Sequence, residues 1–340
     1  MKSLAGARIA CFGEVLLRYG APGRELLLQT PRLDVYVGGA EANVAVGLAS
    51  LGHVPRIISA VPDNALGRAA TRDLRAHGVD TSDIRTLPGR MGIYYLTPGA
   101  GLRGAEVLYD REHSSFAAAN SADFDWDRLL AGVDLLHLSG ITPALGPHSA
   151  ALALDAVRAA ERLGVAVSFD GNYRSQLWQR WNSEPRPILS EIVAHATILF
   201  GNHRDVSLLL GQGFDGDGET RRRGAAEAMF AVFPKLALIA STARRVEDAD
   251  VQHIAARIDT PQTAIQTDEI RLSGIVDRIG AGDAFAAGIL HGLLSGHDLD
   301  TTARLGHALA CLKHSLPGDA SLFAQADLAA FSDQGSDVRR

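Results

Sequence analysis

From residue 135 to residue 241 short apolar runs alternate with longer runs of helical periodicity, and that rhythm constrains the fold more than any other feature. Strands are expected at 135–139, 165–170, 197–201 and 236–241, with helices at about 147–163 (closed by Gly164), 185–194, 203–210 and 219–232. Parallel strands need a crossover of about a dozen residues or more, which a helix supplies. The rhythm therefore predicts an α/β fold, a mostly parallel central sheet with helices on both faces. Ligands of such open sheets bind beyond the carboxyl ends of the strands. Polar residues gather at those ends: Asp170 with Asn172 and Arg174, then Asn202, then Ser241 and Thr242 with Arg244. With Asp283 further on, they point to one extended cleft.

The N-terminal third interrupts the rhythm. A buried strand is expected at 8–12, ending at Gly13-Glu14, but no G-x-G-x-x-G follows it, so the dinucleotide-binding fingerprint is missing. Another strand is expected at 56–61, with a helix from 63–67 through about His77. Residues 91–97 and 106–111 read as a hairpin rich in β-formers (Ile93, Tyr94, Tyr95; Val107, Leu108, Tyr109), joined by a glycine-rich stretch. Residues 25–37, extended around Pro31, are expected to join it in a small antiparallel sheet that closes over substrate as a lid. Tyr95 alternates to the face opposite Tyr94 and suits packing. Exposed lid edges can pair between subunits, giving a homodimer or higher homo-oligomer.

Size and composition bound the remaining possibilities. At 340 residues the chain fits two domains or one large α/β domain with insertions. The expectation is a single domain over 1–330, with lid segments at about 15–37 and 90–112, and a polar tail at 331–340. A formal charge of −6 argues against nucleic acid, and Arg221-Arg222-Arg223 reads as a solvated helix entry. Only two cysteines, Cys11 and Cys311, leave no disulfide framework, and no metal-ligand spacing occurs. His307 and His314, seven apart, suit packing on one helix face. Gly13, Glu14 and Arg18 break the first apolar run, so neither a signal peptide nor a membrane span is expected, and the location is taken as cytoplasmic.

Two glycine-rich stretches carry chemistry. Residues 276–285 run from short strands (250–276) through Gly280-Ala281-Gly282-Asp283 into a small-residue helix, expected over 283–294 and followed by another at 301–314. Gly280 and Gly282 allow backbone conformations in which successive N–H groups converge at a helix start, where the dipole favours an anion. Asp283 at the mouth could accept a proton from a hydroxyl. Alone, the motif reads more readily as a capped turn. Near the other end, Gly38-Gly39-Ala40-Glu41-Ala42-Asn43 opens a helix with Val44, Leu48 and Leu51 on one face, hence expected to be amphipathic, and Gly52 ends it.

Paired in one chain, Gly38–Asn43 and Asp277–Asp283 resemble the two signatures of the ribokinase-like (phosphofructokinase-B) carbohydrate kinases, and the resemblance runs from residue 13 to about 321. Within that family Tyr94, Tyr109-Asp110-Arg111, Phe169-Asp170-Gly171-Asn172-Tyr173-Arg174 and Lys313-His314-Ser315-Leu316-Pro317-Gly318-Asp319 look most like kinases of 2-keto-3-deoxygluconate. The resemblance implies ATP-dependent phosphorylation of the terminal primary hydroxyl, with Asp283 as base and the N–H groups of Gly280, Ala281 and Gly282 as the anion hole. Gly38, Gly39 and Asn43 would bind sugar hydroxyls, and Tyr94, Tyr109, Arg111 and Arg174 the keto-acid end. Asn172, Asn202, Ser241, Thr242, Arg244, Gly280 and Gly282 would face ATP, with Mg²⁺ carried on the nucleotide. One position departs from the family's Asn-x-x-Glu: Asn202 is followed by Asp205, one methylene shorter. Arginine offers a carboxylate a charge-assisted fork, which favours a sugar acid, although each arginine could instead hold a surface ion pair. The alternatives are a kinase of a neutral sugar or nucleoside, and a sugar-binding protein without turnover.

Overall fold

The computed structural model describes residues 3–181 and 183–332. Its strands are β1 (Ile9–Phe12), β2 (Leu16–Gly20), β3 (Asp34–Gly38), β4 (Arg56–Pro62), β5 (Asp80–Leu87), β6 (Gly92–Thr97) and β7 (Glu106–Asp110), then β8 (Leu135–Ser139), β9 (Ala166–Asp170), β10 (Ile198–Phe200), β11 (Leu238–Val246), β12 (Val251–Asp259), β13 (Ala264–Gln266) and β14 (Ile270–Ser273). The main sheet runs β13-β12-β11-β10-β9-β8-β1-β4-β5, with β14 also on β12. Every pair from β5 to β11 is parallel, and β12 to β14 add antiparallel edges.

The eight longer helices that cover it are α1 (Ala40–Ser50), α2 (Ala65–Ala76), α3 (Pro147–Leu163), α4 (Pro185–Ala194), α5 (His203–Leu210), α6 (Gly218–Val232), α7 (Ala281–Leu294) and α8 (Leu299–Lys313). Strands β1, β8 and β10 are buried at every position, as parallel strands covered on both faces require. Their alternation sorts the core into two layers. Ala10 and Phe12 pack with α3, α4 and α6, whereas Ile9 and Cys11 pack with α1, α7 and α8.

Helix α1 departs from the amphipathic expectation. Residues Glu41 to Leu48 are all buried, because the helix lies between the sheet and α7. Its small residues permit the approach: a Cβ on Gly47 would stand 2.9 Å from that of Ala287. Edge strand β5, polar and paired on one side only, carries no apolar alternation and had no sequence signal.

The small second sheet has the order β3-β2-β6-β7. It joins two antiparallel pairs, β2 with β3 and β6 with β7, side by side through β2 and β6. Its N-terminal strand, β2, starts two residues after Glu14. Residues 25–33, expected to be extended, instead form turns, with Gln29 N–H bonded to Leu26 O and Leu28 at φ 61°. The expected tail begins inside a final helix, Gln325–Ser332, and its remainder, 333–340, lies outside the described residues.

Candidate active site

The start of α7 is held from behind. The N–H groups of Val276 and Asp277 donate to His314 O, at 2.8 and 3.2 Å, at the end of α8. The Asp277 carboxylate accepts from Ile279 N–H (2.9 Å) and Gly318 N–H (3.2 Å), which shapes the turn into the helix. Gly280 takes a left-handed φ of 77°, and an added Cβ would run into Asp319 O, so glycine is required there. Gly282 has no such need. It is already helical, and a Cβ would meet nothing within 4 Å. What it supplies is open space above the first turn. The first intrahelical bond is Ala284 N–H to Gly280 O (2.8 Å), so the amides of Gly282 and Asp283 belong to the open, electropositive helix end. The Ala281 amide turns back to Arg278 O at 3.4 Å and is less available.

The two glycine-rich stretches meet here. Asn43 Nδ2 donates to Asp283 Oδ2 at 2.6 Å, across 240 residues of sequence. Asn43 is placed by the entry into α1, where Gly39 adopts φ 133° because any Cβ would strike Glu14 O. Gly38 is equally confined, its absent Cβ standing 2.5 Å from Asp319 Oδ2.

Carboxylates crowd the floor. Burial pushes Asp283 up to about 7, with Asp319 and Glu41 adding to the rise and the Asn43 bond and Arg174 opposing it. Asp170, at the end of β9, is pushed up to about 8 by burial and by Asp283 and Asp205. Asp205 is raised by burial as well, although its Oδ2 accepts from Asn202 N–H at 2.8 Å. Asn202 in turn caps α5, accepting from Arg204 N–H at 2.8 Å. Asp170 thus bears the repulsion of both neighbours. A carboxylate balanced near neutrality is suited to proton transfer.

The remaining expected residues divide. Tyr36, Arg18, Tyr94 and Tyr109 are cross-strand neighbours in one row of the small sheet, facing the α7 turn. Tyr94 O–H donates to Asp319 Oδ2 at 2.6 Å, so its proton is committed to protein, and its ring lies 6.4 Å from that of Tyr109. Arg111 is buried and pairs through Nε with Glu14 Oε2 at 2.6 Å, an ion pair the hairpin pattern did not reveal. Asn172, at φ 35°, donates its N–H to Asp170 Oδ1 at 3.1 Å. Strand alternation puts Thr242 and Arg244 on one face of β11 and Ser241, 8% exposed, on the other. Arg244 is pushed below its ordinary value by burial and by Arg278 and Arg174. That convergence of guanidinium groups suits a polyanion.

Glu14, Arg18 and Glu41 were missed as site residues, and Asp319 entered only as part of a matching segment. Glu41, buried, accepts from Ser139 N–H at 2.7 Å and is raised by that burial. A charged residue inside an otherwise apolar helix start was the available signal for Glu41. Among the described residues no cluster of His, Cys, Asp and Glu could hold a metal ion by itself, and no helix is long and apolar enough to cross a membrane.

An open helix start facing a near-neutral carboxylate, under a second sheet and beside converging arginines, defines a phosphotransferase with an alcohol acceptor. Residues 7–325 match the family described as pfkB family carbohydrate kinase. The chain is 30% identical over 313 residues to a 2-dehydro-3-deoxygalactonokinase of Haloferax volcanii, covering 92% of each chain. It is 29% identical over 316 residues to a 5-dehydro-2-deoxygluconokinase of Shouchella clausii, covering 90% of this chain and 88% of that one. Its fold superposes on the crystal structure of a 2-dehydro-3-deoxygluconokinase of Thermotoga maritima with a TM-score of 0.91 and 34% identity, covering 96% of this chain and 99% of that one. The protein belongs to the pfkB family of carbohydrate kinases.

Proposed function

We propose that the protein is an ATP-dependent kinase of a sugar acid, 2-keto-3-deoxygluconate, phosphorylating its terminal primary hydroxyl. The observation that carries this reading is Asp283, poised near pH 7 and held by Asn43 beside the open amides of α7. The Asn43 bond occupies Oδ2 and leaves Oδ1 to take the acceptor proton. As the hydroxyl oxygen bonds to the γ-phosphorus, the bond to the bridging oxygen breaks and ADP leaves. The Gly282 and Asp283 amides stabilise the charge that develops on the transferring group.

The donor set fits a nucleotide carried with Mg²⁺. Arg244 would lie along its phosphates, with Thr242 on the same face of β11, while Arg174 would serve the keto-acid end of the acceptor. Asp170 and Asp205, both raised by burial and Asp170 also by its acidic neighbours, would be relieved by a cation brought among them. When bound, Mg²⁺ neutralises charge on the β- and γ-phosphate oxygens. On the acceptor side Gly39 and Asn43 would bind sugar hydroxyls. Arg111, with Nε taken by Glu14, would offer its terminal nitrogens to the substrate carboxylate. The relatives named for 2-keto-3-deoxy acids (2-dehydro in systematic names) support the acid, and both sugar epimers occur among those names.

The small sheet, segments 15–37 and 90–112, would be the lid of a single domain. Its outer face carries the row Val35–Tyr19–Tyr95–Leu108, with Val35 55% and Leu108 57% exposed, and self-association would bury that row. Leu108→Glu would then shift the particle to a smaller species on sizing, whereas an unchanged elution volume removes the lid as the interface.

An ATP-consumption screen over neutral sugars, aldonic acids and 2-keto-3-deoxy acids tests the function. A 2-keto-3-deoxy acid should give the highest kcat/KM, and preference for a neutral sugar would refute the acid reading. Replacing both Arg111 and Arg174 should raise the acid KM while sparing that for ATP.

A further inference from the structure

Arg18 was outside every expected role, yet it pairs with two buried carboxylates at once. It stands on β2 in the inner row of the small sheet, stacked 5.0 Å from the Tyr36 ring centroid. Its Nη1 lies 2.6 Å from Asp277 Oδ2 and 2.9 Å from Asp319 Oδ1. The three side chains are 6%, 7% and 3% exposed. Each aspartate is also tied to the turn into α7. Asp277 accepts from Ile279 N–H, and the Asp319 carbonyl is what confines Gly280. Lys313, fully buried, sits beside the same pair and donates to Leu316 O at 2.9 Å. Two carboxylates and two cations thus form a neutral buried group between the small sheet and the start of α7.

We infer that Arg18 is a positioning residue through which seating of the lid fixes the anion-hole turn. With the small sheet down, one guanidinium joins Asp277 to Asp319 and holds 277–283 in register for phosphoryl transfer. With the sheet lifted, two buried carboxylates lose their shared partner, and an uncompensated buried charge forces the turn to move. Geometry of this kind is steep in its effect: a displacement of about 1 Å costs about a hundredfold in rate. Arg18 acts through Asp277 and Asp319, and Tyr94, also bonded to Asp319, reports the same seating.

The turnover part of the test rests on the phosphotransfer reading; the exchange part does not. Arg18→Gln and Arg18→Lys are compared with wild type in the full chain by thermal melting, by kcat and KM for 2-keto-3-deoxygluconate, and by amide hydrogen exchange. Arg18→Gln should lower kcat by about a hundredfold. It should also raise exchange at 277–284 by roughly tenfold, as expected for local opening, with the core strands unchanged. Arg18→Lys should recover part of both. Equal exchange at 277–284 in the folded Gln variant overturns the inference, as does a Lys variant no better than Gln. Should the Gln variant fail to fold, Arg18→Lys decides alone: raised exchange confined to 277–284 and the small sheet supports the role, and unchanged exchange defeats it. A wild-type chain inert toward every sugar acid would sink the functional reading while leaving the exchange comparison standing.

Discussion

Asp283 keeps its proton up to about pH 7 because burial, Asp319 and Glu41 outweigh the Asn43 bond and Arg174. As the proposed base it must lose that proton, so kcat/KM should climb through pH 7 and level off above it, tenfold per unit on the acid side. Asp283→Asn should leave folding intact and lower kcat by about 10²–10⁴, as for a positioned proton acceptor. A variant keeping more than about a tenth of wild-type kcat would remove Asp283 from the role. Asp283 raises Asp170 by repulsion and, at about 7 against about 8, gives up its proton first. The sign for stability is the reverse of the usual carboxylate. Asp170 binds its proton more tightly folded (about 8) than unfolded (3.8), so it lowers stability as pH rises through that window. Asp170→Asn should therefore melt higher than wild type at pH 8, with the difference vanishing toward pH 4. Asp283 itself was legible in the sequence, because two glycines and a helix start announce it. The state of Arg111 was not, since its partner Glu14 lies 97 residues away and no local pattern links them.

At the level of elements, the turn into α7 separates two glycines that look equivalent in sequence. Gly280→Ala adds a Cβ against Asp319 O at a left-handed φ, so both stability and turnover should fall, the former by about 1–3 kcal/mol or more. Gly282→Ala adds a Cβ in open space on a helical residue, where alanine is the better helix former. Its melting temperature should be unchanged or higher, while kcat falls because the methyl stands where the phosphoryl group approaches. Loss of thermal stability in Gly282→Ala would show that the glycine serves packing instead. Helices α3 to α6 were readable because periodicity, a proline entry or a glycine stop marks their ends. The entry of β2 was not readable, nor was β5. The first is short and buried at four of its five positions, and the second has polar residues on an edge, so neither presents the alternation that identifies a half-buried strand.

Over the whole molecule two sets of buried groups pull stability in opposite directions with pH. Burial holds His137 down to about 3 and His291 down to about 4, against 6.5 for an ordinary histidine. Unfolding lets both take protons, so stability is lost as pH falls below 6.5, by about 1.4 kcal/mol per unit for each. Asp170 and Asp283 act the other way between 3.8 and their raised values. The two sets roughly offset each other from about pH 4 to 6.5, and above that only the aspartates remain. Melting temperature should therefore be highest on the mildly acidic side, while activity is highest at pH 8 or above. His291→Gln should leave the aspartates under-compensated, so that melting temperature climbs as pH falls from 6.5 to 4, and a wild-type melting curve that peaks at pH 8 would contradict this balance. The α/β architecture was legible because seven parallel strands need helices between them. The joining of both chain ends at one site needed a likeness between distant stretches rather than any periodicity.

The bond from Asn43 to Asp283 also has a consequence in time. A chain is made from its N-terminus, so under the proposed function Gly39 and Asn43, the acceptor cradle, exist long before Asp283, the base that completes it. Until α7 has emerged and docked on α1, a nascent chain can fold most of its parallel sheet and still transfer nothing. Catalytic competence arrives late in synthesis and all at once, and a chain truncated before Gly280 keeps the cradle with no means of using it.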